Sequence, residues 1–187
     1  AYYRAVKMCP GQMIPERKLI FLEYANGNAQ EAARALAEYW QGRLDLFGPD
    51  KAFQPMTLAG ALKDDAMSMS QRQVVQLVPV TDTAGRAVMF FSPSRRKLAE
   101  YSIEQELRAV WYLFEVIVEN PSLRRNGVVV ICDLRGVQRK HIRKVTRYVR
   151  VWQTIDSSLP VDIRGMHCCW PTSAFYYAIF PVVKRLA

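Results

Sequence analysis

Apolar positions recur at two different periods along the chain, and the change falls near residue 74. Before it, they keep helical spacing. Pro15 and Glu16 open a short helix through Leu19, Ile20 and Leu22 that Asn26 and Gly27 end. Asn28, with Glu31 three residues later, caps a longer helix from Ala29 to Leu46, with Ala32, Leu36, Tyr39, Trp40 and Leu44 on its apolar side, and Gly48-Pro49 terminates it. A further short helix is expected from Thr57 through Leu58 and Leu62 to Asp64-Asp65, then a turn at Ser68–Ser70. Beyond residue 74 the spacing is that of strands. Val74–Val80 and Ala87–Phe91 flank the polar hexapeptide Thr81–Arg86, the composition of a hairpin. Ser102 and Gln105 cap an amphipathic helix carrying Leu107, Val110, Trp111, Phe114 and Val118, which Asn120-Pro121 ends. A strand at 127–133, a helix at 138–156, a strand at 163–169 and a helix at 172–186 complete the order ββαβαβα. That order predicts an α/β fold, a mixed sheet with helices packed on it. No internal repeat and no low-complexity tract interrupts it.

The 127–171 stretch is a parallel βαβ unit with no chemical signature at its strand tips, which points to a sheet whose face rather than edge is the working surface. Asp133 ends its first strand as an acid ends the metal-side strand of a P-loop enzyme, yet the chain has no Gly-Lys pair and no GxGxxG. His167-Cys168 lacks the phosphate-holding Arg of the cysteine phosphatases, since Ala174 stands in its place. The only histidines, His141 and His167, are too far apart to begin a zinc site, and no cofactor or metal is expected. The remaining paired acids, Asp64-Asp65, look like a helix end, so no enzyme is expected.

Composition adds a sign. Lys and Arg number 26 against 17 Asp and Glu, a formal net charge of +9 that favours an anionic partner, nucleic acid or an acidic membrane. Lys140, Arg143, Lys144, Arg147 and Arg150 form one face of the 138–156 helix, opposite Ile142, Val145, Val149 and Trp152, and no acid lies between Asp133 and Asp156. A solvated face and an anion-binding face are both consistent with this pattern. The four cysteines form no CxxC and are expected as buried thiols in a reducing compartment, the adjacent Cys168 and Cys169 pointing to opposite faces of a strand. Without a signal segment or a run of about 18 apolar residues, neither secretion nor a membrane span is indicated. The last helix, with Phe175, Tyr176, Tyr177, Ile179, Phe180, Val182 and Val183, is apolar nearly all round, so a second body should cover it. The chain opens on Ala1 and stops on that helix, as a segment of a longer protein would.

Gly127 to Gly136, then Leu159-Pro160-Val161, Trp170-Pro171-Thr172-Ser173-Ala174-Phe175 and Phe180-Pro181-Val182-Val183-Lys184, in this order and spacing, resemble the CRAL-TRIO lipid-binding domain. Phe21-Leu22 and Asn28–Ala32 resemble the helical region that precedes it, so the likeness runs over about residues 15–187. The resemblance implies two parts, an all-helical N-terminal region over 1–70 and a lipid-binding domain over 71–187 whose C-terminal part is missing. It implies a mixed sheet forming the floor of a hydrophobic pocket, closed by a gate helix near Thr172–Leu186. Combined with strand alternation, it assigns Val128, Val130, Cys132, Met166, Cys168 and Trp170 to the pocket, with Phe175, Ile179, Phe180 and Val183 from the gate. Hydroxyls that contact phosphocholine in yeast phospholipid-transfer members match Val128 and Val130, and their phosphatidylinositol-binding Glu matches Val161. A less polar ligand, a sterol or a tocopherol-like or retinoid-like molecule, fits such a wall better. The expected function is binding and intermembrane transfer of a hydrophobic or phospholipid ligand by a cytoplasmic, peripheral membrane protein. Docking on anionic membrane would run through Lys140, Arg143, Lys144, Arg147 and Arg150. The alternatives are a nucleic-acid-binding module using the same helix and an interaction domain dimerising through its apolar last helix.

Overall fold

In the computed structural model, residues 1–65, 74–96, 102–138 and 145–169 are described, without the side chains of 145–151. Three helices come first: α1 (Tyr2–Met8), α2 (Pro15–Tyr24) and α3 (Ala29–Phe47). The Asn28 side chain accepts hydrogen bonds from the amides of Gln30 and Glu31 and starts α3, while Asn26 and Gly27, at φ 50° and 83°, turn the chain out of α2. The helix expected from Thr57 is instead a run of tight turns. Pro55 O accepts from the amides of Thr57 and Ala61, and Gly60 lies so close against that carbonyl that no side chain fits there. Helical propagation is lost to that doubling back. The turn expected at Ser68–Ser70 lies outside the described residues.

Strands β1 (Val75–Thr81) and β2 (Ala87–Phe91) form the expected hairpin, its turn held by Asp82 Oδ1, which accepts from the amides of Ala84 and Arg86. Helix α4 (Ile103–Glu119) begins with a capping box between Ser102 and Gln105. Asn120 ends α4 and at once caps a short helix, α5 (Pro121–Asn126), which the sequence reading did not foresee. Strand β3 (Val128–Asp133), helix α6 (Val145–Ser158) and strand β4 (Ile163–Cys169) follow. The first part of the basic helix, with Lys140, Arg143 and Lys144, and the C-terminal segment from Trp170 lie outside the described residues.

The sheet order is β1-β2-β3-β4, with β1 antiparallel to β2 and the other pairs parallel, the mixed sheet that the alternation predicts. Pro79 sits in edge strand β1, where the register shifts between Leu77 and Thr81 and no ladder bond is required of it. The five apolar α4 positions named from periodicity are all buried. They join α3, α6 and the sheet in a single core that includes Phe21, Tyr39, Trp40, Trp111, Phe114 and Trp152. Gly42 marks a tight crossing. A Cβ there would come within 2.8 Å of both the Trp111 ring and Thr154 Cγ2, so only hydrogen lets α3 approach α4 and α6 this closely.

Candidate functional site

Strand pairing puts the candidate residues into rows. Leu77, Met89, Val130 and Met166 are successive cross-strand partners, and Val75, Phe91, Cys132 and Cys168 form the next row on the same face. Val128, paired with Ala87, continues that face. The register therefore brings together the five described members of the expected set, Val128, Val130, Cys132, Met166 and Cys168. It adds Met89, Phe91, Val75 and Leu77, which the sequence reading placed on strands without assigning them a face. Hairpin register was the missing signal. The β3 members are buried, whereas Met166 and Cys168 on β4 are only half-buried. Trp152 of α6 stands over one end of the face, its ring 6.3 Å from Phe91 and 5.8 Å from Phe114. Trp170, Phe175, Ile179, Phe180 and Val183 lie outside the described residues, as do Lys140, Arg143 and Lys144. Arg147 and Arg150 fall within the α6 span.

The cysteine expectation needs correction. Cys9 and Cys132 are buried, but Cys168 is half-buried and Cys169, on the opposite side of β4, is exposed, because an edge strand of the described sheet covers its residues less than an inner one does. Cys132 and Cys168 are cross-strand partners whose thiols interact. That interaction and then burial push the Cys132 thiol up, and the same interaction lowers Cys168. Asp133 at the end of β3 is engaged by Arg135, whose Nε donates to Oδ1 at 2.8 Å, and this hydrogen bond holds its carboxyl below the usual carboxylate range. Asp64 and Asp65, taken as a helix end, are separately paired. Lys51 meets Asp64 at 2.5 Å, and Arg108 grips buried Asp65 with bonds of 2.8 and 2.7 Å.

Sequence reading also missed a buried polar cluster where α2, α3 and α4 meet. Glu115, on the apolar side of α4, accepts from Tyr39 Oη at 2.5 Å, Arg17 Nη2 at 2.7 Å and Trp111 Nε1 at 3.2 Å. Tyr39 Oη accepts in turn from Arg17 at 2.9 Å and Arg43 at 3.0 Å. Burial and then the Glu115 charge push the Tyr39 phenol up, so it stays a donor. The cluster joins α2, α3 and α4 and is structural rather than chemical. An open groove of about 470 Å³ between α2 and Arg124 of α5, lined by Leu19, Ile20 and Leu22 with the Glu23–Arg124 ion pair, is a separate feature.

Among the described residues no three His, Cys, Asp or Glu side chains gather as a metal site, and no helix is long and apolar enough to cross a membrane. Clavesin-1 of Xenopus laevis is 28% identical over 174 residues, covering 89% of this chain and 50% of its own length. Clavesin-2 of Homo sapiens is 28% identical over 175 residues, covering 89% and 51%. The chain thus spans about half the length of the curated relatives it matches. The family model for the CRAL/TRIO domain matches residues 71–186, more than half of the chain, and with the mixed sheet and its order of elements the chain belongs to the CRAL-TRIO family.

Proposed function

We propose that this chain binds a hydrophobic lipid at the half-buried Met166 and Cys168 end of the face that they share with Val128, Val130 and Cys132, and carries it between membranes. The family is one of lipid-binding and transfer proteins. The observation that carries the reading is the pair of apolar cross-strand rows, continuous over four strands and only half-buried at Leu77 of β1 and at Met166 and Cys168 of β4. Trp170 would extend the pocket wall, and Phe175, Ile179, Phe180 and Val183 would close over it from the gate. Enclosure is the physical requirement. Each CH₂ moved out of water contributes about 0.8 kcal/mol, and a carrier competes with a bilayer only if it covers the whole chain of the ligand. The absence of hydroxyl and carboxylate groups at Val128, Val130 and Val161 favours a weakly polar cargo.

The test is mass spectrometry of an organic extract of protein purified from cells, alongside circular dichroism. A stoichiometric lipid is expected from the wild type. Met166→Asp places a carboxylate on the half-open part of the face and should lower the lipid-to-protein ratio at least about tenfold, equivalent to ~1.4 kcal/mol, with the helical signal retained. Val130 is unsuitable for this test, being 1% exposed within the common core. Wild-type protein without lipid, or a folded variant that retains it, would sink the assignment.

Membrane docking through Lys140, Arg143, Lys144, Arg147 and Arg150 is part of the same proposal, supported by the acid-free run from Leu134 to Ile155. Each basic residue near an acidic bilayer is worth about 1 kcal/mol, so reversing the charge of Arg143, Lys144 and Arg147 should weaken sedimentation with phosphatidylserine vesicles by roughly two orders of magnitude at low salt. Unchanged sedimentation by the triple variant refutes docking by this helix. Salt-dependent RNA or DNA binding without vesicle binding would favour a nucleic-acid module instead.

A further inference from the structure

We propose that Cys132 and Cys168 are a peroxide-sensitive dithiol that closes into a disulfide across β3 and β4. The two residues are direct partners in the parallel ladder, on the same face of neighbouring strands. Adjacent strands lie about 4.8 Å apart, inside the roughly 4.4–6.8 Å range of Cα separations that a disulfide spans, so the strand spacing is compatible with closure. The interaction between the two thiols raises Cys132 and lowers Cys168, which leaves Cys168 the better thiolate. Exposure divides the roles in the same way: Cys168 is half-buried and reachable by a small oxidant, while Cys132 is covered.

The reaction balances with a hydroperoxide as oxidant. The Cys168 thiolate attacks the terminal peroxide oxygen, the O–O bond breaks, and the sulfur becomes a sulfenic acid as alkoxide or hydroxide leaves and takes up a proton. The Cys132 sulfur then attacks the Cys168 sulfur, its own proton leaving with the sulfenic oxygen as water. Two thiols are oxidised by two electrons, and one peroxide is reduced to an alcohol, or to water, with one further water released. Cys169 faces the other way and Cys9 lies in the helical region bonded to Ala5 O, so neither is placed to compete for Cys132.

The experiment treats the purified chain with hydrogen peroxide in one arm and a fatty-acid hydroperoxide in the other, blocks residual thiols with N-ethylmaleimide, and maps peptides by mass spectrometry. A linked peptide joining Cys132 to Cys168, short of two hydrogens, is the expected product. Cys168→Ser should abolish it, and Cys132→Ser should leave Cys168 as a sulfenic acid that dimedone labels, about tenfold faster than Cys9 is labelled. The dithiol does not depend on the lipid-binding reading. Linkage with hydrogen peroxide alone supports the dithiol and shows that the lipid peroxide does not reach it, whereas linkage in both arms supports it with oxidant arriving by either route. Failure in both arms, or Cys168 joined instead to another cysteine, overturns it.

Discussion

Replacing Glu115 with Ala is expected to destabilise the protein by about 3–5 kcal/mol, measured as a lower urea midpoint at unchanged slope. The carboxylate receives hydrogen bonds from Tyr39, Arg17 and Trp111, and without it Tyr39 and Trp111, both fully buried, hold donors that no water reaches. Arg17 suffers less, because its side chain keeps 22% of its exposure and turns outward. Arg43 suffers more, since it is wholly buried and its Nη1 is satisfied through the Tyr39 oxygen and Gln12. Glu115→Gln retains acceptor geometry for Tyr39 and Trp111 and should recover part of the loss. A cost below about 1 kcal/mol for the Ala variant would mean that the cluster is solvated rather than buried.

Arg96→Met is expected to cost a similar amount, for a different reason. Arg96 and Glu106 meet in a bidentate pair of 2.6 and 2.8 Å, each side chain 1% exposed, between the chain leaving β2 and the first turn of α4. Removing the cation takes its bidentate partner from a carboxylate in the interior, a loss of about 3–5 kcal/mol, whereas removing both charges with Arg96→Met and Glu106→Leu should cost less than the sum of the single changes. The four-variant cycle in denaturant checks this, and two single losses that simply add would refute the coupling.

Much of this architecture was legible because the signals were local. Ser102 and Gln105 form the capping box their spacing predicts, Asn28 caps α3, and the apolar five of α4 face inward. The strands of the βαβ unit fall within a residue of their expected bounds, since alternation and flanking turn residues both act at short range. Glu115 was illegible for the opposite reason. An acid on an apolar helix stripe ordinarily marks the stripe's edge, and here its partners lie 76 and 98 residues away. The turns after Thr57 failed similarly, because the deciding contact is Gly60 against the Pro55 carbonyl, which apolar spacing does not register. At the candidate site, alternation alone grouped Val128, Val130 and Cys132, but Met89 and Phe91 joined them only through pairing between strands, which no single segment encodes.

The Gly42 crossing makes the spacing of three helices depend on one missing side chain. A methyl at position 42 would meet the Trp111 ring and Thr154 Cγ2 at 2.8 Å, so Gly42→Ala has to push α4 or α6 away from α3. Thr154 lies on the same helix as Trp152, whose ring packs on Phe91 of the sheet, so that displacement would be passed on to the sheet contact. The seating of α6 on the strands is thus set in part from a helix that lies far earlier in the chain.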